Sequence, residues 1–339
     1  MQFANTLDTH DVLSAWKNHN NNEHNPKSTW AMAVIVECQG HSYRKRGSFS
    51  LINEDGEQLG VLSGGCLEAD IRLMARKCIS LNKVLTKEYD GRDETDASYQ
   101  MGCGGIVWIK FIPLNDTNNH LNLSEVLKCL EQREVVRLGL DYDNLPENYQ
   151  DNPKSNPQNS DQHSQLIDIR SYVNSSHKAQ LTIEIVPKIH LLICGGGKDA
   201  APVCQFAKQL GWQVSVWEPR AAYANDKDFV NADTILKESH SVLSDYAATQ
   251  KVNFSVLMSH NVTLDAQALN ALAHSAINHI ALLGPKKRFE DVVAACGVDK
   301  STIKPVLSGP AGLDIGGDLP SSIALSIVAK FHGIAFNKI

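Results

Sequence analysis

Long apolar runs are missing from this 339-residue chain. No stretch approaches the roughly 18–20 residues that a spanning helix needs, which argues against an integral membrane protein. Met1 to Asp11 lacks the basic stretch and apolar core of a secretory signal. An excess of one charge is also absent. The 32 Lys and Arg stand against 38 Asp and Glu, a net −6, so neither nucleic acid nor an anionic membrane is an expected partner. None of the eight cysteines forms a Cys-x-x-Cys pair, which removes support for a zinc ribbon or a thioredoxin-like site. The expectation is a cytoplasmic protein whose cysteines stay as thiols. Its length allows two domains with separate cores.

What is present reads as α/β. Leu7 to Lys17 has helical spacing, and Thr29 to Glu37 is a β-branched apolar strand. Phe49 to Ile52 and Gln58 to Leu62 form a hairpin about Asp55-Gly56. A helix over Leu67 to Ser80 follows, then strands at Val84 to Tyr89 and Ile106 to Ile112. Ser124 to Glu131 reads as a helix, and Glu134 to Leu140, Ile167 to Val173 and Leu181 to Val186 as strands. Asp141 to Gln165 is too polar to bury apolar area and reads as an insertion or linker. Pro187 is the expected boundary between an N-terminal α+β domain, 1–187, and a C-terminal domain, 188–339.

Beyond Pro187 strands alternate with helices. The strands are His190 to Cys194, Gln213 to Trp217, Phe254 to Met258, His279 to Leu283 and Thr302 to Val306. The helices are Ala200 to Leu210, Leu264 to Ser275, Arg288 to Cys296 and Ser321 to Phe331. That rhythm implies a Rossmann-like parallel sheet.

Gly195-x-Gly197-x-x-Ala200 follows the first of these strands and opens a helix. Gly195 permits a tight turn, Gly197 a close phosphate approach, and Ala200 close helix–strand packing. Lys198 and Asp199 complete the turn at a helix N-terminus that offers N–H groups to phosphate, although the Asp199 carboxylate would repel one. Glu218 ends the next strand, where an acidic residue takes a ribose hydroxyl in such folds. A purely structural glycine turn is the alternative.

Arg220 either holds a ribose phosphate or pairs with Glu218. His260 follows a strand end that should face the crevice and serves either acid/base chemistry or structure. Asp314, in the glycine-rich turn Gly312 to Gly317, is a candidate crevice carboxylate, and Asp265 reads as a helix-start charge. Lys286, Lys287 and Arg288 either bind phosphate or form a solvated helix start, and Arg44, Lys45 and Arg46 either clamp an anion or form a solvated loop.

Two cysteines stand in glycine turns, Ser63-Gly64-Gly65-Cys66-Leu67-Glu68 and Gly102-Cys103-Gly104-Gly105. Cys66 is expected at a helix N-terminus, where thiols acidify. Both thiols are either open to a soft metal or a nucleophilic role, or buried and inert.

These two turns resemble the N-terminal domain of the XdhC/CoxI family of xanthine dehydrogenase accessory factors. Gly195 to Pro202, Leu210-Gly211-Trp212, Glu218-Pro219-Arg220, Met258 to Asn261, Leu283 to Arg288 and Gly312 to Gly316 resemble the same family's Rossmann domain. The resemblance implies a chaperone that binds the molybdenum cofactor, assists its sulfuration and hands it to an apo molybdenum hydroxylase of the xanthine dehydrogenase type. It implies Cys66 and Cys103 as contacts for the cofactor or a transferred sulfur. A cysteine desulfurase is a further candidate partner and a homodimer a candidate assembly. The alternative is an NAD(P)-dependent oxidoreductase that uses Gly195, Gly197, Lys198, Asp199, Ala200 and Glu218.

Overall fold

The computed structural model describes residues 9–21, 28–91, 104–142, 166–172 and 179–339. The chain divides into two units, Met1–Pro187 and Lys188–Ile339. Among the described residues no helix is long and apolar enough to cross a membrane.

The first unit begins with α1 (Thr9–Asn20), β1 (Trp30–Gln39), β2 (Phe49–Asn53), β3 (Gln58–Leu59) and α2 (Glu68–Leu81). It continues through β4 (Leu85–Asp90), β5 (Ile106–Leu114), α3 (Leu123–Glu131), β6 (Val135–Tyr142), β7 (Leu166–Tyr172) and β8 (Ala179–Ile185). An antiparallel five-stranded sheet runs β3-β2-β1-β5-β4.

Its central strand β1 is apolar from Trp30 to Val36 because both faces are covered there. Strand side chains alternate between faces. Ala31, Ala33 and Ile35 therefore join the cluster of Ile71, Ala75 and Cys78 from α2. Trp30, Met32, Val34 and Val36 join Val12, Leu13 and Trp16 of α1 and Val126, Leu127 and Leu130 of α3. The β1–β5 register slips between Ile35 and Glu37. Such a bulge twists the strand end, here just before the turn at 40–47.

A three-stranded sheet, β7-β6-β8, completes the unit, with β7 parallel and β8 antiparallel to β6. A parallel return needs a crossover of about a dozen residues or more. Residues 143–165, between the two strands in sequence, lie outside the described residues. The insertion therefore starts later than its composition suggests, because Asp141 and Tyr142 pair with Gln180 and Ala179 as the end of β6.

The second unit contains β9 (His190–Cys194), α4 (Ala200–Gln209), β10 (Gln213–Trp217), β11 (Thr234–Leu236), α5 (Leu243–Thr249) and β12 (Phe254–Leu257). It ends with α6 (Val262–Leu272), β13 (His279–Leu282), α7 (Lys286–Ala295), β14 (Val306–Ser308) and α8 (Pro320–Ala335). The sheet order is β11-β10-β9-β12-β13-β14, with every pairing parallel. This is the Rossmann order, and its crevice opens where the order reverses, at the C-terminal ends of β9 and β12.

The strand expected at Thr302 to Val306 is displaced. Asp299 accepts the Ser301 N–H and caps a 3-10 turn over Lys300–Thr302. Pro305 then offers no ladder N–H, so pairing begins at Val306.

His279 and Ser308 sit on neighbouring strands with Nε2 and Oγ 2.7 Å apart, and Lys330 donates to the same hydroxyl at 2.8 Å. Burial, with Lys330 adding to it, pushes the His279 imidazole from 6.5 down to about 4. The native state therefore holds a neutral ring that the unfolded chain protonates. This contribution is complete above pH 6.5 and is lost as pH falls toward 4. The linked loss is about 3 kcal/mol. Urea unfolding of wild type and His279→Asn across that range should show an acid-sensitive component present only in wild type. Equal pH slopes would remove His279 as its source.

Candidate functional site

In the first unit the chemistry gathers about the turn at 40–47. Tyr43 projects from it, 61% exposed. A methyl placed on Gly64 would lie 3.7 Å from the Tyr43 ring, so the ring lies against the glycine turn that carries Cys66. On another side Gly105 backs onto the same turn. A methyl there would fall 2.1 Å from the His41 carbonyl, a backbone approach that only glycine allows. The chain that follows Cys103 thus reaches the same turn as the one that precedes Cys66. Cys103 itself lies outside the described residues.

The Cys66 loop is held from beneath. Glu68 is buried, and its Oε1 accepts Leu62 N–H at 3.0 Å, Ser63 N–H at 2.7 Å and Ser63 Oγ–H at 3.0 Å, while Gln58 Nε2 donates to Oε2. Ser63 Oγ in turn accepts Gly65 and Leu67 N–H, both at 3.2 Å. A carboxylate with this many donors fixes a loop that glycines alone would leave loose. Glu68 is part of the motif the sequence displays, yet its organising role depends on the Ser63 turn folding back over it.

Cys66 is exposed, whereas Cys78, Cys129, Cys194, Cys204 and Cys296 are buried and Cys38 is intermediate. Burial pushes the Cys78 and Cys194 thiols to about 12 and Cys204 to about 11. Leu67 is the N-cap of α2, so Cys66 stands one residue before the cap instead of in the first turn. Arg44 adds a donor: its Nε is buried without an acceptor among the described residues.

In the second unit the crevice is crowded by the protein's own groups. A methyl on Gly195 would meet the Met258 carbonyl at 2.6 Å, and one on Gly196 would meet the Ala224 Cβ at 2.5 Å. These glycines let strand ends and loops close on one another. Ala200 is buried at the start of α4. Asp199 places no side-chain cap on the helix. Its carboxylate instead pairs with His260 Nε2 at 2.6 Å. His260 adopts φ +58°, a conformation uncommon outside glycine.

Glu218 has no solvent exposure. Arg220 grips it with a fork, Nε to Oε1 at 2.7 Å and Nη2 to Oε2 at 2.6 Å, and the N–H groups of Gly196 and Arg220 donate to it at 2.9 and 3.1 Å. Burial works against its charge, but the Arg220 fork and these N–H groups outweigh that and hold the carboxyl below its usual value. Tyr223 lies 4.0 Å beneath the guanidinium. Binding a ribose hydroxyl would require this set of bonds to open.

Arg220 Nη2 also donates to Ser259 O at 3.0 Å. Ser259 N–H and Oγ–H reach Asp265 Oδ1 at 3.1 and 2.6 Å, and Arg288 Nη2 reaches Oδ2 at 2.6 Å. Asp265 is therefore no mere helix-start charge but a 1% exposed ion-pair partner. Of the basic run at 286–288, Lys286 and Lys287 stay exposed and Arg288 turns inward over Gly284. Asp314 is exposed in the loop before α8, and Lys198 is exposed too. Among the described residues no group of three His, Cys, Asp or Glu side chains could hold a metal.

Comparison with known proteins finds two family matches in the chain. Residues 25–90 match the XdhC and CoxI family, and residues 191–331 match the XdhC Rossmann domain. A protein of Bacillus subtilis (strain 168), described as a probable subunit of xanthine dehydrogenase, is 27% identical over 312 residues, covering 88% of this chain and 91% of that protein. The molybdenum cofactor insertion chaperone PaoD of Escherichia coli (strain K12) is 30% identical over 112 residues, 33% of each chain. A crystal structure of a xanthine dehydrogenase from Bacillus halodurans superposes with a TM-score of 0.75 at 23% identity, covering 98% of this chain and 97% of that one. This last likeness concerns the fold.

Proposed function

The chain belongs to the XdhC and CoxI family, and from that premise we propose that it is an accessory protein for a molybdenum hydroxylase of the xanthine dehydrogenase type. It takes the molybdenum cofactor as cargo, holds it while it is sulfurated with sulfur from a cysteine desulfurase, and passes it to the apoenzyme. The observation that carries this reading is the exposed Cys66 on a loop fixed by Glu68, beside the basic turn at 40–47. The donor set suits the cargo. A thiol is a soft ligand appropriate to a sulfur-bound metal, and Arg44 and Lys45 are cations appropriate to a phosphate. The name of PaoD, a molybdenum cofactor insertion chaperone, supports the carrier role, and the name of the Bacillus subtilis relative supports the link to xanthine dehydrogenase.

The test is retention of cofactor by the full chain. Protein from a cofactor-producing host should carry a pterin through gel filtration, measured by the fluorescence of its oxidised form. Cys66→Ala should weaken retention about tenfold, the loss of a contact near 1.4 kcal/mol. A wild-type protein free of pterin under these conditions would reject the reading. Retention unchanged from wild type in both Cys66→Ala and Cys103→Ala would remove both thiols from it.

A further inference from the structure

We infer that Tyr43 is the platform on which the cargo's flat heteroaromatic ring stacks, so that one turn reads both ring and phosphate. This inference rests on the cargo proposed above and adds the residue that recognises its ring. Tyr43 is left 61% exposed, whereas the aromatic side chains of Trp16, Trp30, Phe49, Tyr89, Trp108 and Phe111 in the same unit are each 9% exposed or less. One edge of its ring lies over Gly64. Gly65, next along, has open space where a side chain would project, and its φ of +119° disfavours any residue but glycine. The result is a strip of ring, bare backbone and thiol: Tyr43, Gly64, Gly65, Cys66.

The residues after Tyr43 supply charge. Arg44 Nε is buried and lacks an acceptor among the described residues, a condition that a bound anion would relieve. Lys45 is exposed beside it. An aromatic face next to such donors fits a flat ring that carries an anionic group, and not an aliphatic anion or inorganic phosphate alone. Aromatic stacking tolerates Phe or Trp in place of Tyr because each keeps the π-face, whereas Leu or Ala loses it.

The experiment titrates full-length protein with molybdenum cofactor released anaerobically from a purified molybdoenzyme, and follows retained pterin. Thermal unfolding checks that each variant is folded. Tyr43→Phe and Tyr43→Trp should bind within about twofold of wild type, and Tyr43→Leu about tenfold more weakly, the range seen for loss of one ring stack. Inorganic phosphate should compete equally weakly in all four proteins. Wild-type binding that Tyr43→Leu leaves unchanged would overturn the platform and leave the carrier role standing. Loss in Phe, Trp and Leu variants alike would also overturn it, since the ring would not be the feature recognised. Absence of binding by wild type would reject the carrier role and the platform with it.

Discussion

Replacing Arg288 by Met is expected to cost the second unit about 3–5 kcal/mol of unfolding free energy, the range for breaking a buried ion pair by removing one partner. Asp265 is 1% exposed, and Arg288 Nη2 lies 2.6 Å from its Oδ2. Without the guanidinium, Asp265 keeps only Ser259 N–H and Oγ–H as donors to its other oxygen. The fold has shaped itself to this pair. A methyl on Gly284 would lie 2.6 Å from Arg288 Cδ, so the arginine stem crosses bare backbone to reach Asp265. The double variant Asp265→Leu, Arg288→Met should recover part of the loss, because no charge is then stranded. Recovery stays incomplete, because the buried Ser259 N–H keeps no acceptor, a cost of about 1–3 kcal/mol. Urea unfolding of the three variants measures both effects. A loss below about 1 kcal/mol in Arg288→Met would mean that the pair behaves like a solvated surface contact.

The same pair explains what a sequence can and cannot disclose. β9 and β10 are legible to the residue, because His190–Cys194 and Gln213–Trp217 are short apolar runs bounded by glycine and proline signals. β11, Thr234–Leu236, is three half-buried residues at the sheet edge, and α5 buries only Leu243 and Ala247. Neither is long enough to display a period. Asp265 shows only a carboxylate in the first turn of a helix. Its burial is decided by Arg288, 23 positions later, which a run of three basic residues disguises as a solvated patch. The glycine motif is legible as a Rossmann turn, while the neighbours that fill it, Ala224 and the Met258 carbonyl, come from separate loops. At the cysteine turns the motif points to open thiols. The exposure of Cys66 follows from a loop fixed by Glu68, whose partners Gln58, Leu62 and Ser63 form only after the β2–β3 hairpin places them.

Arg220→Met should reverse the sign of the Glu218 contribution to stability as well as lower it, by about 3 kcal/mol at pH 7. In wild type, burial opposes the Glu218 charge but the Arg220 fork prevails, and the carboxyl sits below its usual range near 4.3. A lowered carboxyl stabilises the fold above its unfolded value and loses that contribution as pH falls through the folded one. Without the fork only the Gly196 and Arg220 N–H groups oppose burial, and the expected result is a carboxyl above its unfolded value. The variant then binds a proton on folding and gains stability as pH falls from 7 toward 5. His279 weakens both proteins across the same window, so the informative quantity is the difference between them, which should shrink with acidification. A difference that is constant or grows would mean that Arg220 does not set the Glu218 charge. The same fork bears on nucleotides. A carboxylate already accepting from Arg220 and from two N–H groups has little left for a ribose, and the Asp199 carboxylate in the glycine turn is taken up by a hydrogen bond with His260. Calorimetry of wild type with NAD and with NADP should therefore give no saturable heat below about millimolar concentration, weaker than roughly −4 kcal/mol. Micromolar binding of either would show that the fork opens for a dinucleotide and would restore the oxidoreductase alternative.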